Sequence, residues 1–465
     1  MISDSLLLEF AELSPALHAE LFSPNPGITG FSSVSIDSRK VQKGALFTAI
    51  PGSAVDGHSF VESAFRNGAA AAMVERDKLE AFNLEYTAKT LGKTLIIVNN
   101  TIRGLQDAAR LYLKKFPGLL KIAITGSAGK TTTKEIAAAI IGLNKKVIVN
   151  PGNYNSETGL PLAVFGIRAC HEVGIFEMGM NRTGEITELA SVLIPDIALI
   201  TNIGYAHIGI IGSIEGIAKE KKEIFSCFDK KSIALIPADS NFRDYLAEGV
   251  AGRVSYYGEK SFAEFEGTRS LGLEGTEIFW DGQTIRFPLP GKHSLANAFA
   301  AIAIAREFHV TNEMIKQGLE SVQPLFGRGE IMYGRTTVIR DCYNSNPEAL
   351  AGVLDFCESL EWPGRRVYVI GEMLELGKNS QTAHEDAGLL LAGSKADKVF
   401  LFGEETKAAV KKSENGRFFH TCDMDELSAV LDDYVQDGDL VLLKGSRGCA
   451  LERLCTVLEG EAYVP

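Results

Sequence analysis

The stretch Ile122-Ala-Ile-Thr-Gly-Ser-Ala-Gly-Lys-Thr-Thr-Thr-Lys-Glu135 places an apolar strand before a loop of small residues and a helix-forming segment. This is the layout of a phosphate-binding loop. Gly126 and Gly129 allow successive backbone N–H groups to converge on a phosphate, and the helix that begins near Lys130 adds the positive end of its dipole. Lys130 would then reach the terminal phosphates of a nucleotide, and the Thr131 hydroxyl would bind a magnesium ion.

The loop departs from the common spacing G-x-x-x-x-G-K-[ST], because Ile124 stands where the first glycine is expected. A glycine-rich turn that binds no ligand therefore stays open as an alternative. The rest of the chain favours a phosphate site, since it supplies the other residues that a nucleotide site needs.

The size and charge of the chain limit the classes of protein to which it can belong. Its 465 residues exceed what one hydrophobic core usually serves, so two to three domains are expected. The formal net charge of −12 argues against a broad surface for nucleic acid or anionic membrane, because both are attracted by positive fields. We therefore expect a soluble globular protein with no nucleic-acid partner.

Targeting signals and disulfides are not expected either. The seven cysteines form no CxxC pair and suit reduced, mostly buried thiols in a cytosol. The first ten residues carry two acids and no basic region, unlike a secretory signal. Residues 197–214 are uncharged and long enough to span a membrane, but Asn202, His207 and three glycines interrupt them. A buried strand followed by an active-site loop explains this stretch better, so no membrane segment is expected. We expect the protein to be cytoplasmic and monomeric.

Apolar runs and turn residues divide the chain into three units, at 1–103, 104–323 and 324–465. The first is a small α/β module whose loops contain Asp37-Ser-Arg39 and Asp56-Gly-His58, although either triplet alone is more simply a turn than a site. In the second unit, helices alternate with strands predicted at 121–125, 146–149, 173–178, 197–203 and 232–237. This alternation predicts a parallel sheet with helices on both faces.

The β pattern continues over residues 253–290, with a hairpin signal at Asp281-Gly282. The third unit alternates helices with strands predicted at 336–340, 366–370, 398–402 and 439–443. It lacks G-x-G-x-x-G after its first strand, so a dinucleotide is not expected. The predicted fold class is α/β in three domains: a small N-terminal domain, a central P-loop-type parallel sheet and a C-terminal Rossmann-like domain.

Polar residues follow the strands of the predicted central sheet. Asn153, Asn155, Glu177, Asn202 and His207 all fall at carboxyl ends of strands, on the same edge as the phosphate loop. Glu177 ends an apolar run, where a carboxylate is costly to bury without a partner. A magnesium ion could be that partner, and an ion pair with a Lys or Arg remains the alternative.

Lys221 lies on the apolar face of a helix predicted from Ser213 to Phe228, whereas Lys219 and Lys222 are expected to point the other way, into water. An inward lysine is costly unless it is neutralised, paired or chemically used. Its side chain could also extend along the surface so that the amine stays in water.

Several motifs recur in an order typical of one enzyme family. They are Thr125-Gly-Ser-Ala-Gly-Lys-Thr-Thr132, Gly152-Asn-Tyr-Asn155 with Gly159-Leu-Pro161, Glu177-Met-Gly179, Thr201-Asn-Ile-Gly204 with Ala206-His207, and Lys221 before Ile224-Phe225. Together they resemble the Mur ligases, ATP-dependent enzymes that form amide bonds in peptidoglycan precursors. The resemblance runs essentially end to end.

Within that family the chain is most similar to the branch that adds D-alanyl-D-alanine to UDP-N-acetylmuramoyl-tripeptide. The motifs for this branch are Asp37-Ser-Arg39, Asp56-Gly-His58, Tyr343-Asn-Ser-Asn-Pro347, Gly371-Glu-Met-Leu-Glu-Leu-Gly377 with His384, and Lys444-Gly-Ser-Arg447. The chain departs mildly from the usual pattern at Ser156, Ser345 and Glu372. Arg340 replaces a common acid, so we expect a reversed charge beside the nucleotide pocket.

The resemblance implies a role for each matching residue. The ATP-binding set is Gly126, Ser127, Ala128, Gly129, Lys130, Thr131 and Thr132, together with Asn297, Arg328 and Asp341 from across a domain junction. The catalytic set is Lys130, Glu177, His207 and Lys221. Thr131 and Glu177 would bind one magnesium ion, and His207 with a carbamylated Lys221 would lie near a second. The substrate-binding set is Ser38, Arg39 and His58 for the uridine nucleotide, Asn153 and Asn155, and Tyr343, Asn344, Asn346 and Pro347 for D-alanyl-D-alanine.

The reaction implied is activation of the tripeptide carboxylate by ATP to an acyl phosphate, which the dipeptide amine then attacks. The N-terminal unit would bind the UDP substrate, the central unit ATP, and the C-terminal unit the acceptor. Two alternatives remain at this stage: a folate-polyglutamate-type amide ligase, which shares a related ATP-binding domain, and a nucleotide-binding regulator that has lost catalysis.

Overall fold

The computed structural model describes residues 6–22, 25–52, 55–411 and 416–458. Residues 1–5, part of the stretch assessed above for a secretory signal, lie outside the described residues. Within the described ranges, no helix combines the length and the apolar character needed to cross a bilayer. The uncharged stretch 197–214 instead contains a buried strand, a loop and a short helix.

The amino-terminal part of the chain is a small α/β unit. Its elements are β1 (Leu8–Glu9), α1 (Phe10–Leu17), β2 (Glu20–Phe22), β3 (Gly30–Phe31), β4 (Ser33–Ser35), β5 (Ala45–Thr48), α2 (Val61–Arg66), β6 (Ala71–Glu75), α3 (Leu84–Leu91), β7 (Thr94–Val98) and α4 (Thr101–Leu113). Strands β4, β5, β6 and β7 run parallel, and β2 pairs antiparallel with β7. Strands β5, β6 and β7 are buried along their whole length, as expected for a parallel sheet covered on both faces.

The central part is built on a six-stranded parallel sheet. Its elements are β8 (Leu120–Thr125), α5 (Lys130–Ile141), β9 (Val147–Val149), α6 (Gly159–Val164), β10 (Val173–Glu177), α7 (Glu185–Leu193), β11 (Ile197–Ile200), α8 (Ile208–Ile211), α9 (Ile214–Lys222), β12 (Ile233–Pro237), α10 (Arg243–Ala247) and β13 (Arg253–Tyr257). The strand order is β13-β12-β11-β8-β10-β9, with every neighbouring pair parallel. This confirms the predicted parallel sheet.

Alternation along β8 explains why both faces of this sheet are covered. Ile122 and Ile124 pack in one apolar cluster with Ile136 of α5, whereas Ala123 packs in another with residues of α4, α6 and α7. Successive side chains of a strand point to opposite faces, so each face carries its own layer of helices.

One predicted β region is divided differently from the prediction. Residues 253–257 form β13, the edge strand of the parallel sheet, and so are not part of the hairpin region. A separate antiparallel sheet follows, with β14 (Phe265–Ser270), β15 (Thr276–Trp280) and β16 (Gln283–Phe287), before helices α11 (Lys292–Arg306) and α12 (Asn312–Glu320). The predicted turn at Asp281-Gly282 joins β15 to β16, with both residues at positive φ.

The carboxyl-terminal part is a second open α/β sheet. Its elements are β17 (Glu330–Tyr333), β18 (Thr337–Asp341), α13 (Pro347–Ser359), β19 (Arg366–Gly371), α14 (Ser380–Ala392), β20 (Lys398–Phe402), α15 (Lys407–Val410), β21 (Phe418–Thr421), α16 (Met424–Tyr434), β22 (Leu440–Lys444) and α17 (Cys455–Leu458). The strand order is β17-β18-β22-β19-β20-β21, and only β17 is antiparallel to its neighbour. The Rossmann-like prediction is confirmed.

The topology fixes where a ligand can bind. In the central sheet the chain proceeds from β8 to β9 and β10 on one side, and then crosses to β11 on the other. Ligands of open parallel sheets bind at such a switch point, beyond the carboxyl ends of the strands. The loop between β8 and α5 lies at this point.

Candidate active site at the phosphate loop

The loop between β8 and α5 requires both of its glycines. Gly126 has φ +151° and Gly129 has φ +80°, a region that favours glycine. A Cβ atom at Gly126 would overlap the Thr201 hydroxyl, and one at Gly129 would overlap the Asn297 side chain. No glycine is needed at position 124, because Ile124 is a buried residue of strand β8 and precedes the loop.

The backbone of this loop presents donors for an anion. The N–H groups of residues 129–132 have no acceptor among the described residues, and Thr133 is the first residue of the turn to donate, to Gly129 O at 2.9 Å. The N–H groups of Ser127 and Ala128 instead donate to Asn202 Oδ1, at 3.1 and 2.9 Å. A phosphate at the start of α5 would therefore meet unpaired N–H groups at the positive end of a helix dipole.

Lys130 is held close to this loop. Its Nζ donates to Gly126 O at 2.8 Å, so it has to leave that carbonyl to reach a phosphate. Burial lowers the pKa of Lys130, the carboxylates of Glu177 and Glu375 act in the opposite direction, and Arg328 lowers it further. The amine thus lies among charges contributed by both the central and the carboxyl-terminal parts.

Glu177, at the end of β10, has its oxygens beside the start of α5. Thr131 Oγ1 donates to Oε2 at 2.6 Å, and Asn155 Nδ2 donates to Oε1 at 2.7 Å. The backbone of Glu177 is fixed by Asn150, which accepts from its N–H at 2.9 Å and donates to its carbonyl at 3.1 Å. Asn150 is fully buried and was not identified from the sequence, since an asparagine after a short strand carries no distinctive signal.

This arrangement suits a magnesium ion. No Lys or Arg amine of the described chain lies within ion-pair distance of Glu177, so the alternative of a simple ion pair is not what the structure shows. A carboxylate and a hydroxyl side by side are hard oxygen donors of the kind that magnesium prefers. The described residues contain no cluster of three or more His, Cys, Asp or Glu side chains that could enclose a metal by themselves. The remaining ligands would then be phosphate oxygens and water.

His207 and Lys221 occupy different environments. His207 Nδ1 lies 2.6 Å from Glu375 Oε2 of the carboxyl-terminal part, and this contact is the main cause of a lowered pKa of Glu375. The Lys221 side chain is only 1% exposed, and no hydrogen bond to its amine is found among the described residues. Burial first, and the charge of Lys130 second, hold the pKa of Lys221 well below its usual range. The amine therefore does not extend to the surface.

The helix that carries Lys221 differs in two details from the prediction. Its α-helical part, α9, starts after the N-cap Ser213 as predicted but ends at Lys222, where a 3₁₀ turn follows. Lys219 is exposed, whereas Lys222 is half-buried, with its Nζ 2.6 Å from Tyr245 O and above the Tyr245 ring. The expectation that Lys222 points away into water was wrong, because α10 packs beside α9.

A cavity of about 850 Å³ lies between the central and carboxyl-terminal parts. The predicted site residues that line it are Ser127, Ala128, Gly129, Lys130, Thr131, Thr132, Asn153, Asn155, Glu177, His207, Asn297, Arg328, Asp341, Tyr343, Asn344 and Asn346. The predicted residues that do not line it are Gly126, Lys221, Pro347, Ser38, Arg39 and His58. The structure therefore brings the phosphate loop, the strand-end residues and the acceptor motif to one space, and leaves the three amino-terminal residues outside it.

The carboxyl-terminal wall of the cavity is organised by Lys444. Its Nζ lies 2.8 Å from Asp341 Oδ2 and donates to Asn344 O at 2.7 Å. Asp341 and Lys444 lie opposite each other at the ends of the neighbouring strands β18 and β22, so their side chains are close enough to form this ion pair. Near them the Arg328 guanidinium stacks on the Tyr343 ring at 4.1 Å.

The end of the acceptor motif also has a structural role. Asn346 is the N-cap of α13 and accepts from Ala349 N at 2.8 Å, and Pro347 is the first residue of that helix. Both are preferred residue types at these positions. Their predicted contacts with an acceptor substrate stay predictions.

Arg340 does not line the cavity, so the reversed charge lies outside it, contrary to expectation. It pairs with Glu330 Oε2 at 2.6 Å. Glu330 and Arg340 are opposite each other in the antiparallel pair β17–β18, so the reversed charge is neutralised by a cross-strand partner. The guanidinium also lies 4.2 Å from the centre of the Phe326 ring.

The amino-terminal candidates form a separate group. Arg39 is 85% exposed and pairs with Asp37, and the Arg39 contact is the main cause that lowers the pKa of Asp37 to about 2. His58 is buried, with Nδ1 2.6 Å from Asp56 Oδ1 and Nε2 accepting from Glu75 N at 2.9 Å. Because both ring nitrogens are occupied, His58 supports its loop, and its predicted contact with a uridine nucleotide stays a prediction.

Three family models match the chain in series. They are Mur ligase family, catalytic domain, over residues 30–112; Mur ligase middle domain, over 124–305; and Mur ligase, glutamate ligase domain, over 327–447. A UDP-N-acetylmuramoyl-tripeptide--D-alanyl-D-alanine ligase of Treponema pallidum is 43% identical over 460 residues, which are 98% of this chain and 100% of that protein.

Solved structures give the same result. A crystal structure of MurF from Acinetobacter baumannii superimposes with a TM-score of 0.87 at 26% identity, covering 97% of this chain and 98% of that chain. MurF ligase from Thermotoga maritima, in complex with ADP, has a TM-score of 0.77 at 28% identity, covering 92% of this chain and 97% of that chain. The chain belongs to the Mur ligase family.

Proposed function

We propose that this chain joins D-alanyl-D-alanine to UDP-N-acetylmuramoyl-tripeptide with consumption of ATP, in the synthesis of peptidoglycan precursors. The observation that carries the proposal is one cavity lined by the phosphate loop and by Tyr343, Asn344 and Asn346, in a chain whose full-length relative bears that enzyme's name. ATP binds with magnesium, in keeping with the ADP complex of the Thermotoga structure.

The reaction proceeds in two chemical steps. The terminal carboxylate of the tripeptide attacks the γ-phosphorus of ATP, and ADP leaves to give an acyl phosphate. The amine of D-alanyl-D-alanine then attacks the acyl carbon, and the tetrahedral intermediate loses phosphate and the amine proton to form the amide.

The side chains of the cavity act mainly through charge and position. Lys130 and the unpaired N–H groups of residues 129–132 would neutralise the phosphoryl group as negative charge moves onto its oxygens. A magnesium ion held by Thr131 and Glu177 supplies further charge neutralisation when bound. We assign contacts with adenosine and phosphates to Asn297, Arg328 and Asp341, and contacts with the acceptor to the Tyr343–Asn346 turn.

We also propose that Lys221 is carbamylated. The support is its burial, the lowered pKa that favours the neutral amine needed to react with CO₂, and the lack of a hydrogen-bond partner in the described chain. A carbamate would replace a costly buried cation by an anionic oxygen donor near Lys130. Such a donor is the kind of ligand that the family resemblance assigns, with His207, to a second magnesium ion. This modification is independent of the ligase assignment.

The proposed reaction also assigns one ligand to each of the three parts of the chain. Residues 1–103 would bind the UDP substrate, residues 104–323 ATP, and residues 324–465 the acceptor, in a monomeric enzyme of the cytoplasm. The alternative of a regulator without catalysis depended on Arg340, which pairs with Glu330 outside the cavity. The amino-terminal unit and the Tyr343-to-Pro347 motif speak against the folate-polyglutamate alternative.

The decisive experiment measures phosphate release with each acceptor pair. We expect release only when UDP-muramoyl-tripeptide and D-alanyl-D-alanine are both present with ATP and magnesium. Glutamate with a pteroate acceptor serves as the control and should be inert. Turnover with the folate pair and none with the muramoyl pair would contradict the proposal, and ATP binding without any turnover would favour the regulator.

A further inference from the structure

We propose that Glu348 and Glu375 are positioning residues that hold residues 204–209, here called the docking segment, beside the phosphate loop. They do so only when the carboxyl-terminal part is seated against the central sheet. This inference rests on the proposed function, because it assigns the geometry of that reaction to the docking of the two parts.

The first contact joins Glu348 to the phosphate loop through the docking segment. Glu348, in the first turn of α13, accepts from Tyr205 N at 2.9 Å. The neighbouring Gly204 donates its N–H to Ser127 Oγ at 2.8 Å and accepts from the same hydroxyl at 3.0 Å. A side chain at Gly204 would meet Glu348 Oε1 at 2.9 Å, so the approach is as close as glycine allows. Three hydrogen bonds thus link α13 to the loop that would hold ATP.

The second contact lies at the other end of the docking segment. His207 Nδ1 is 2.6 Å from Glu375 Oε2, and Gly209 N donates to Glu375 O at 3.1 Å. A Cβ at Gly209 would lie 2.6 Å from Glu375 O, and a Cβ at Gly377 would lie 2.7 Å from Gly209 Cα. The two backbones therefore touch directly, with no room for a side chain between them.

Both partners of this contact have unfavourable backbone conformations. His207 has φ +66° and Glu375 has φ +67°, in the left-handed region that residues other than glycine rarely adopt. Such conformations persist only where surrounding contacts impose them. Here each residue contacts the other across the boundary between the two parts. Separation of the parts would remove the contact, and the docking segment with its His207 would relax away from the site.

In this arrangement the carboxylates of Glu348 and Glu375 help to assemble the site, although neither takes part in the two chemical steps. Seating of the carboxyl-terminal part would place His207 and tighten the Ser127–Gly204 contact in the same movement. Closure of this kind completes a reaction site only after substrates have bound. The acyl phosphate would thereby form only when the acceptor motif, on the same seated part, is also in place.

Gly209→Ala tests the coupling without altering a ligand-binding side chain. The φ angle of Gly209 is outside the positive range, so alanine strains the structure only through the Glu375–Gly377 backbone. Gly118→Ala is the matched control, because its Cβ would meet nothing within 4 Å. For Gly209→Ala we expect kcat to fall about 10²-fold, as for a misplacement of about 1 Å, with the affinity for ADP and magnesium unchanged. Gly118→Ala should equal the wild type in both measurements.

Hydrogen exchange provides a readout that is separate from activity. With ADP, magnesium and UDP-muramoyl-tripeptide bound, the Tyr205 and Gly209 amides of the full-length wild type should be protected, and this protection should be lost in Gly209→Ala. Glu375→Gln should show a smaller loss of both kcat and protection, since the Gly209–Glu375 backbone hydrogen bond remains. Glu348→Gln should weaken protection at Tyr205 and leave Gly209 protected.

The outcomes separate this inference from the proposed function. Wild-type kcat and protection in Gly209→Ala would overturn the inference, and so would a loss of kcat with protection unchanged. If the wild type released no phosphate with the muramoyl pair, the proposed function would fail. The exchange comparison between wild type and Gly209→Ala would still decide whether the two parts dock through this segment.

Discussion

Replacement of Lys130 by alanine should separate catalysis from stability. The Lys130 amine donates to Gly126 O at 2.8 Å and lines the cavity beside Glu177. In the reaction it would leave that carbonyl for the transferring phosphoryl group. Alanine removes both contacts and leaves the helix, since alanine is the best helix former and Lys130 is the first residue of α5.

The expected magnitudes follow from these contacts. Loss of one donor to developing negative charge costs about 2.7–4 kcal/mol, or about 10²- to 10³-fold in kcat. The hydrogen bond from a charged amine to Gly126 O contributes about 1.5–3 kcal/mol to stability at most. Burial opposes that contribution, as the lowered pKa of Lys130 indicates, so the net change in unfolding free energy should be within about 1 kcal/mol. For a domain of this size, that corresponds to a Tm shift of about 2–4 °C.

The assay is ATP-dependent phosphate release with UDP-muramoyl-tripeptide and D-alanyl-D-alanine, together with a thermal melt of each protein. Lys145→Ala is the control, since Lys145 lies in the turn after the same helix and makes only a half-exposed pair with Glu172. It should retain both activity and Tm. A Lys130→Ala protein that melts normally and turns over within about tenfold of the wild type would refute the assignment of this loop as the phosphate site.

Three further changes test other features of the structure. Because the folded-state pKa of Lys221 lies below its ordinary value of 10.5, the unfolded chain binds the proton more tightly, so wild-type stability in CO₂-free buffer should rise as pH increases towards 10.5. Lys221→Met should reduce that slope in pH-dependent melts, and bicarbonate should raise the Tm of the wild type only; an equal effect on the variant would exclude the carbamate. Arg39→Ala should raise KM for the UDP substrate without a change in Tm, because Arg39 is 85% exposed; an unchanged KM would remove Arg39 from that site. Arg340→Asp should lower Tm, because it places the carboxylates of residues 330 and 340 opposite each other, and it should leave KM for ATP unchanged, because both lie outside the cavity. Addition of Glu330→Arg should restore Tm if loss of the ion pair is the cause.

The phosphate loop and most strands of the central sheet can be located from the sequence alone. Five of the six strands of the central sheet, β8 to β12, are apolar runs bounded by turns, and each of these five was predicted to within three residues of its observed ends, whereas β13 was assigned to a later β region. Gly126, Gly129, Lys130 and Thr131 are informative because strand, turn and helix signals coincide there within a few residues. The rule that strand ends of a parallel sheet meet at one edge then placed Glu177 near the loop, and the structure confirms it at 2.6 Å from Thr131 Oγ1.

Contacts between distant residues depend on how the strands pair and how the domains pack. Strand register made Lys444 the partner of Asp341 and Glu330 the partner of Arg340. The short edge strands β17 and β21 of the carboxyl-terminal sheet were missed, since four residues carry no periodic signal and depend on their neighbours for pairing. Glu375 meets His207 only because two separately folded sheets are packed together, with both residues at positive φ. Local patterns encode helices, strands and turns, whereas register and domain packing depend on residues far apart in the chain, and no short window of sequence contains them.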